Sequence, residues 1–398
     1  MTTAYRPDQR LSPVQWARKN LFSSPGNTLL TVAALAFLFF VLRGLIHWIF
    51  FTANWEPVSK NFKLFFLGQY PADQVWRPGL MVLLVAFLFG LSWGARGGTV
   101  RAFAITLAVG MGVLGLLPVS LEAISLRLRL WFLVNPLLVG LGYLAGRRLV
   151  RGVRPLVIGW LLAVLASGLL LAGVEGIPWL PPVSTNVWGG LLLTFVLALV
   201  GIVASFPLGV LLALGRRSSL PLVKALCTVF IEVVRGVPLV TILFMASILL
   251  PLFLPEGMRI DRILRVVIGM TLFASAYMAE NVRGGLAAIP AGQYEAAKAI
   301  GLNGFQTMLL IVLPQALRTV IPAIVGQFIA LFMDTTLAVI VGLLELLAIG
   351  RSIVQGNPQW VTLQAEVYVF IGLLFWVFTF SMSYASRRVE SALGVGKR

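Results

Sequence analysis

Ten apolar stretches recur along this 398-residue chain, most of them about as long as the roughly 17 to 25 residues an α-helix needs to cross a bilayer. They lie near 28–51, 79–94, 102–120, 130–146 and 155–174, then near 188–214, 238–254, 266–280, 317–334 and 365–386. The second and eighth are short, so they must tilt or extend into their flanks. Hydrophobic residues make up 59% of the chain and charged ones 11%, too little polar surface to cover a soluble globule of this size. The runs are continuous rather than alternating, which excludes an outer-membrane barrel. The expected fold class is therefore an all-α membrane protein of about ten transmembrane helices.

The net charge of +17 does not imply nucleic acid, because the basic residues sit in short clusters between apolar runs, where they act as orientation signals. Arg96 and Arg101, the group Arg147, Arg148, Arg151 and Arg154, the pair Arg216 and Arg217, then Arg283, Lys298, Arg387 and Arg388 all fall on one side. With Arg6, Arg10, Arg18 and Lys19 they place both termini and the 290–314 loop in the cytoplasm. No cleavable signal peptide precedes the first run, which reads as an anchor. A single cysteine, Cys227, and a single histidine, His47, leave no disulfide and no His/Cys metal cluster to propose.

Two parts are visible. Up to about 174 the spans are plainly hydrophobic, whereas nearly all polar residues at membrane depth lie further on. The join at 175–186, with three prolines, no basic residue and Trp179, fits an external linker. The expected domains are a membrane extension over 1–186, with about five spans, and a five-span domain over 187–398.

The most soluble-looking helix lies inside the 290–314 stretch. Pro290 is placed to open it, Ala291, Ala296, Ala297 and Ala299 favour it, and Gly301 stands where a helix-ending glycine is expected. Asn303-Gly304 then turns the chain into a second segment running to Leu313-Pro314. Tyr294, Ala297 and Ile300-Gly301 share one apolar side, flanked by Glu295 and Lys298. That side suits either a solvated connector or a surface docking into another protein's groove.

Three further constellations carry charge or hydroxyls into the spans. Glu232 and Arg235 stand at i,i+3 before a Gly236-x-Pro238 break, and either staple a kinked helix or meet substrate. Glu280 and Arg283 repeat the spacing; they either gate or line a path, or form a plain interfacial pair. Asp334-Thr335-Thr336 ends a run and precedes an apolar stretch over 337–349 too short to cross, as in a partly re-entrant segment. These three residues either cap the next helix or offer polar groups to an amino acid.

Taken with Ala288-Ile289-Pro290 ahead of it, the Glu295-Ala296-Ala297 triplet, Gly301 and Leu313-Pro314 resemble the EAA signature of the membrane subunits of bacterial ABC importers. Glu232-x-x-Arg235-Gly236-x-Pro238-Leu239 and Ala276-Tyr277-x-Ala279-Glu280-x-x-Arg283-Gly284-Gly285 are similar to segments of the polar amino-acid permeases. The first half looks like the extension of their longer, general L-amino-acid branch. The family often has lysine before Asp334, where this chain has Met333.

The resemblance implies that the C-terminal five spans form an ABC importer type I transmembrane domain, non-catalytic in itself. Tyr294, Glu295, Ala296, Ala297, Ile300, Gly301, Leu313 and Pro314 would receive force from the ATPases, while Glu232, Arg235, Glu280, Arg283, Asp334, Thr335 and Thr336 line or gate the path. Two ATP-binding subunits, a second homologous permease in a heterodimer and an extracytoplasmic amino-acid-binding protein are the implied partners, in the lipid of a bacterial inner membrane. No G-x-x-x-x-G-K-[ST] loop exists, so ATP and Mg belong to those partners and this chain carries no cofactor. The alternative is an ion-coupled secondary amino-acid transporter, which calls for inverted repeats and a proton- or sodium-binding carboxylate pair. No internal repeat is visible.

Overall fold

The computed structural model describes residues 12–116, 126–255 and 257–394. Arg6, Arg10 and the end of the 102–120 run lie outside them. The described residues are helical apart from turns and two isolated β-bridges. Contacts divide the chain into two compact units, Met1–Trp55 and Glu56–Arg398.

The first unit holds α1 (Pro13–Asn20) and α2 (Pro25–His47), and α2 runs on through a widened turn to Thr52. Both helices have proline in the first turn and a serine N-cap, Ser12 and Ser24, that accepts a backbone N–H. None of the α2 residues is buried, as suits a lipid-facing span.

The second unit begins with the short helices α3 (Glu56–Lys60) and α4 (Phe62–Leu67). Four helices follow: α5 (Trp76–Arg96), α6 (Thr99–Leu116), α7 (Leu126–Leu149) and α8 (Arg154–Ala172). Helices α5 and α7 cross through paired G-x-x-x-G stripes, so that their backbones touch. A Cβ on Gly90 or Gly94 would stand 2.1 Å from the carbonyl oxygen of Val139 or Tyr143. On Gly142 or Gly146 it would meet those of Phe87 or Leu91 at 2.3 and 2.1 Å. Lipid tails are as apolar as leucine, so such close packing is what holds two spans together.

The remaining helices are α9 (Gly190–Arg216), α10 (Pro221–Gly236), α11 (Leu239–Phe244), α12 (Arg262–Ala287), α13 (Ala291–Ala299), α14 (Gly304–Gln306), α15 (Leu313–Asp334), α16 (Leu346–Gly356) and α17 (Gln364–Leu393). Helix α12 is the central one, its apolar window 61% buried. Two apolar clusters surround it. One gathers Leu193, Leu197, Leu243, Val266, Met270 and Leu331; the other gathers Ala213, Ile231, Met278, Val282, Val312 and Ala316. Small residues let the neighbours close in, for a Cβ on Gly285 would reach 2.5 Å from the Ala316 oxygen of α15.

Among the described residues eight helices are long and apolar enough to span a bilayer, or nine if the bent pair Pro221–Gly236 and Leu239–Phe253 is one span. That pair turns by 108° at the break before Pro238, which has no N–H to carry a helix on. The third expected run is the shorter α6. One expectation is corrected. Pro314 does not end the segment after Gly304, because a widened turn over Thr307–Val312 accommodates it and the helical run continues from Gly304 to Val341.

Candidate functional site

Three polar places lie along the core, and α12 connects two of them. At the end where α12 stops, α9 also ends, and its last residue, Arg216, reaches two carboxylates. Its Nη1 donates to Glu280 Oε1 at 2.8 Å, and its Nη2 lies 2.9 Å from Glu232 Oε1. Arg283 Nε donates to both oxygens of Glu280 at 3.0 Å. Arg235 stands 3.8 Å from Glu280 and lies over the Tyr277 ring at 5.5 Å. Three arginines thus surround two glutamates, and the Glu280 side chain is only 18% exposed.

The expected i,i+3 pairing holds for Glu280 and Arg283 but not for Glu232 and Arg235, whose partners lie on other helices. The reason is geometric: α10 lies against the ends of α9 and α12, so cross-helix partners are closer. Arg216 had read only as an orientation charge. Its one sequence signal is its position at the end of a span two residues after Leu214.

The loop that follows α12 is seated on the second apolar cluster. Tyr294 packs beside it, Ala297 is buried, and Gln315 Nε2 donates to Gln293 Oε1 at 3.1 Å, tying α13 to α15. The apolar side expected to face outward is therefore split. Tyr294 and Ala297 face the chain's own spans, as does buried Leu313, while Glu295, Ala296, Ile300, Gly301 and Pro314 remain exposed. Ile300 and Phe305 are each 74% exposed. Gly301 has φ +85°, and a Cβ there would meet open space within this chain. Asn303 and Gln306 close a reciprocal cap that starts the next helix.

The third place is at the opposite end of the core, where α15 stops. Thr335 Oγ1 donates to the Phe332 oxygen at 2.7 Å and Thr336 Oγ1 to that of Met333 at 2.9 Å, so both hydroxyls serve their own helix. Asp334 is half-buried, caps no backbone N–H and makes no ion pair among the described residues. Beyond a turn at Gly342, between the spans, Glu345 is fully buried and caps α16, accepting from Leu347 N at 2.9 Å and Ala348 N at 2.8 Å. Burial pushes its carboxyl up to about 7, against those two bonds and Arg351, which pull it down. A carboxylate inside the run Leu343 to Ile349 was its sequence signal. Among the described residues no His, Cys, Asp or Glu group comes together to hold a metal.

A helical bundle with a partly exposed loop helix packed on its core, an ion cluster at one end of the central span and, among the described residues, a carboxylate without an ion pair at the far end suits a transporter's membrane subunit. Residues 205–395 match the family of binding-protein-dependent transport system inner membrane components. The chain is 38% identical over 399 residues to the inner membrane amino-acid ABC transporter permease protein YhdY of Escherichia coli (strain K12), covering 96% of this chain and 93% of that protein. It is 40% identical over 422 residues to the glutamate/glutamine/aspartate/asparagine transport system permease protein BztC of Rhodobacter capsulatus, covering 97% and 95%. The probable glutamine ABC transporter permease protein GlnP of Bacillus subtilis (strain 168) is 35% identical over 203 residues, 51% of this chain and 91% of its own length.

The chain belongs to this family, as an ABC-importer permease subunit of the polar/basic amino-acid transporters. It is a multi-pass inner-membrane protein that moves substrate for an ATP-driven importer without catalysing a reaction itself.

Proposed function

We propose that the 290–314 loop is where ATPase movement enters this chain, and that Asp334 is where the amino acid's ammonium group is met. The supporting observation is the seating of α13: it packs on the Thr307–Val312 turn, with Tyr294 against the apolar cluster that holds Met278, Val282 and Val312 and with Ala297 buried, while its other side remains exposed. Displacing such a helix moves the end of α12 and the Arg216–Glu280 cluster with it, which biases one access state over the other. Glu232, Arg235, Glu280 and Arg283 then act as the gate at the loop end of the path. At the far end Asp334, with no ion pair among the described residues, suits an ammonium group and leaves the carboxylate to other donors.

In this reading two ATP-binding subunits hold ATP and Mg, a homologous second permease completes the membrane pair, and an extracytoplasmic binding protein delivers the substrate. Residues 1–186 form an extension to the importer domain at 187–398, and both termini are cytoplasmic. Labelling tests this arrangement. In a Cys227→Ser background, single cysteines at Ser12, Gln293 and Ser391 are expected to resist an impermeant thiol reagent in intact cells, and one at Ser184 to react. Reaction at Gln293 from outside removes the basis of the coupling assignment.

A further inference from the structure

The segment 62–70, ahead of the first span of the second unit, is wedged into the importer core at the end opposite the 290–314 loop. Phe65 is fully buried and meets Phe370 of α17 edge-on at 5.1 Å, with Gly350 of α16 leaving it room. Behind it the backbone itself makes contact. Gly68 bridges to Trp188, and a Cβ on Gly68 would stand 2.5 Å from the Gly189 Cα. A Cβ on Gly190 would stand 2.3 Å from the Phe65 oxygen. Only a residue without a side chain fits where two backbones approach so closely.

The same residues of the core continue the contact to α16. Gly190 N donates to the Leu344 oxygen at 2.9 Å, Gly190 bridges to Glu345, and Leu346 N donates to Thr194 Oγ1 at 3.2 Å. The wedge, the start of α9 and the start of α16 therefore form one stack of backbone. On its other side the wedge is held by the rest of the extension, for Tyr70 Oη donates to the Leu171 oxygen at 2.9 Å; just beyond it, buried Arg77 of α5 donates from Nη2 to the Pro181 oxygen at 2.9 Å. The family match begins at residue 205, so this segment lies outside it.

We infer that the 62–70 segment is a positioning element through which the N-terminal extension sets the outer end of the import path, with Phe65 holding Gly189–Gly190 against Leu344–Glu345. The short turn from Asp334 to α16 is anchored at that stack, so its placement depends on a part of the chain outside the matched region. This inference rests on the transport role of the chain, but its structural arm does not need transport.

The test uses the complete transport complex in proteoliposomes, with a reporter cysteine at Leu344 in the Cys227→Ser background. Phe65→Ala is expected to assemble with its partners and keep basal ATP hydrolysis, to change the thiol-labelling rate at the reporter, and to lower uptake about fivefold. Phe65→Leu restores both readouts most of the way. Wild-type labelling with wild-type uptake in Phe65→Ala overturns the inference, as does lost uptake with unchanged labelling. Should Phe65→Ala fail to assemble, Phe65→Val, which also leaves most of the ring's space empty, is read in its place, and unchanged labelling in it counts against the inference. Absence of ATP-driven uptake in the parent complex contradicts the transport role instead, and the labelling comparison still decides the positioning role.

Discussion

Arg216 and Glu280, sixty-four residues apart in sequence, meet at 2.8 Å where α9 and α12 end together. Glu280 is the acceptor for Arg216 and Arg283 and the nearest carboxylate to Arg235, so it neutralises charge from three helices. Its removal leaves partly buried guanidinium groups without a partner, and such a loss exceeds that of an exposed pair. Glu280→Gln is therefore expected to destabilise the purified protein by about 1–3 kcal/mol. Glu232→Gln, at a more exposed carboxylate, is expected to stay under about 1 kcal/mol. Thermal unfolding of both variants in the same detergent orders them, and equal losses would remove Glu280 from its central place.

The glycine crossing of α5 and α7 makes a sharper forecast because the chain carries its own control. Gly94→Leu would force a side chain against the Tyr143 carbonyl, at a cost of about 1–3 kcal/mol or more. Gly140 lies on α7 with nothing near its Cβ position, and Gly140→Leu is expected to change stability by less than about 0.5 kcal/mol. Expression and melting temperature of the two variants check the difference.

Much of this was legible from the chain alone, for reasons that differ by element. Long apolar runs announce spans because lipid offers backbone groups no partner, and the Pro238 break, the Gly301 helix end and the turn at Asn303-Gly304 follow from rules that act within four residues. Arg216 and Glu280 could not be paired that way, since helical spacing relates only residues three or four apart. The split of the Tyr294, Ala297 and Ile300 stripe was hidden for a related reason. Periodicity shows that a helix has an apolar side, but not whether its own chain or another protein covers it. The wedge at 62–70 carries no local sign of its fit, because that fit depends on glycines more than a hundred residues away.

Asp334 offers a test of the substrate end. Asp334→Asn keeps the size of the side chain and removes its charge, so assembly and basal ATP hydrolysis are expected to persist while the substrate concentration for half-maximal uptake rises about tenfold. A charge reversal at that depth is a poorer probe, because it risks misfolding the span. Unchanged uptake kinetics in the Asn variant would remove Asp334 from the substrate path.

Under the proposed coupling role, the exposed side of α13 and the turn after it receive force from a partner. Ile300 is 74% exposed and Gly301 has open space at its Cβ position, so no described residue of this chain fills either position. Ile300→Asp replaces one exposed side chain with a more soluble one. Gly301→Asp adds strain of roughly 1 kcal/mol from the left-handed backbone. Complexes carrying each variant, reconstituted in proteoliposomes, should be assayed together for bound ATPase and for ATP-driven uptake. Normal membrane insertion and at least about a tenfold loss of uptake are expected, with the ATPase either detached or hydrolysing without transport. Wild-type ATPase binding and wild-type uptake in both variants would contradict the coupling role.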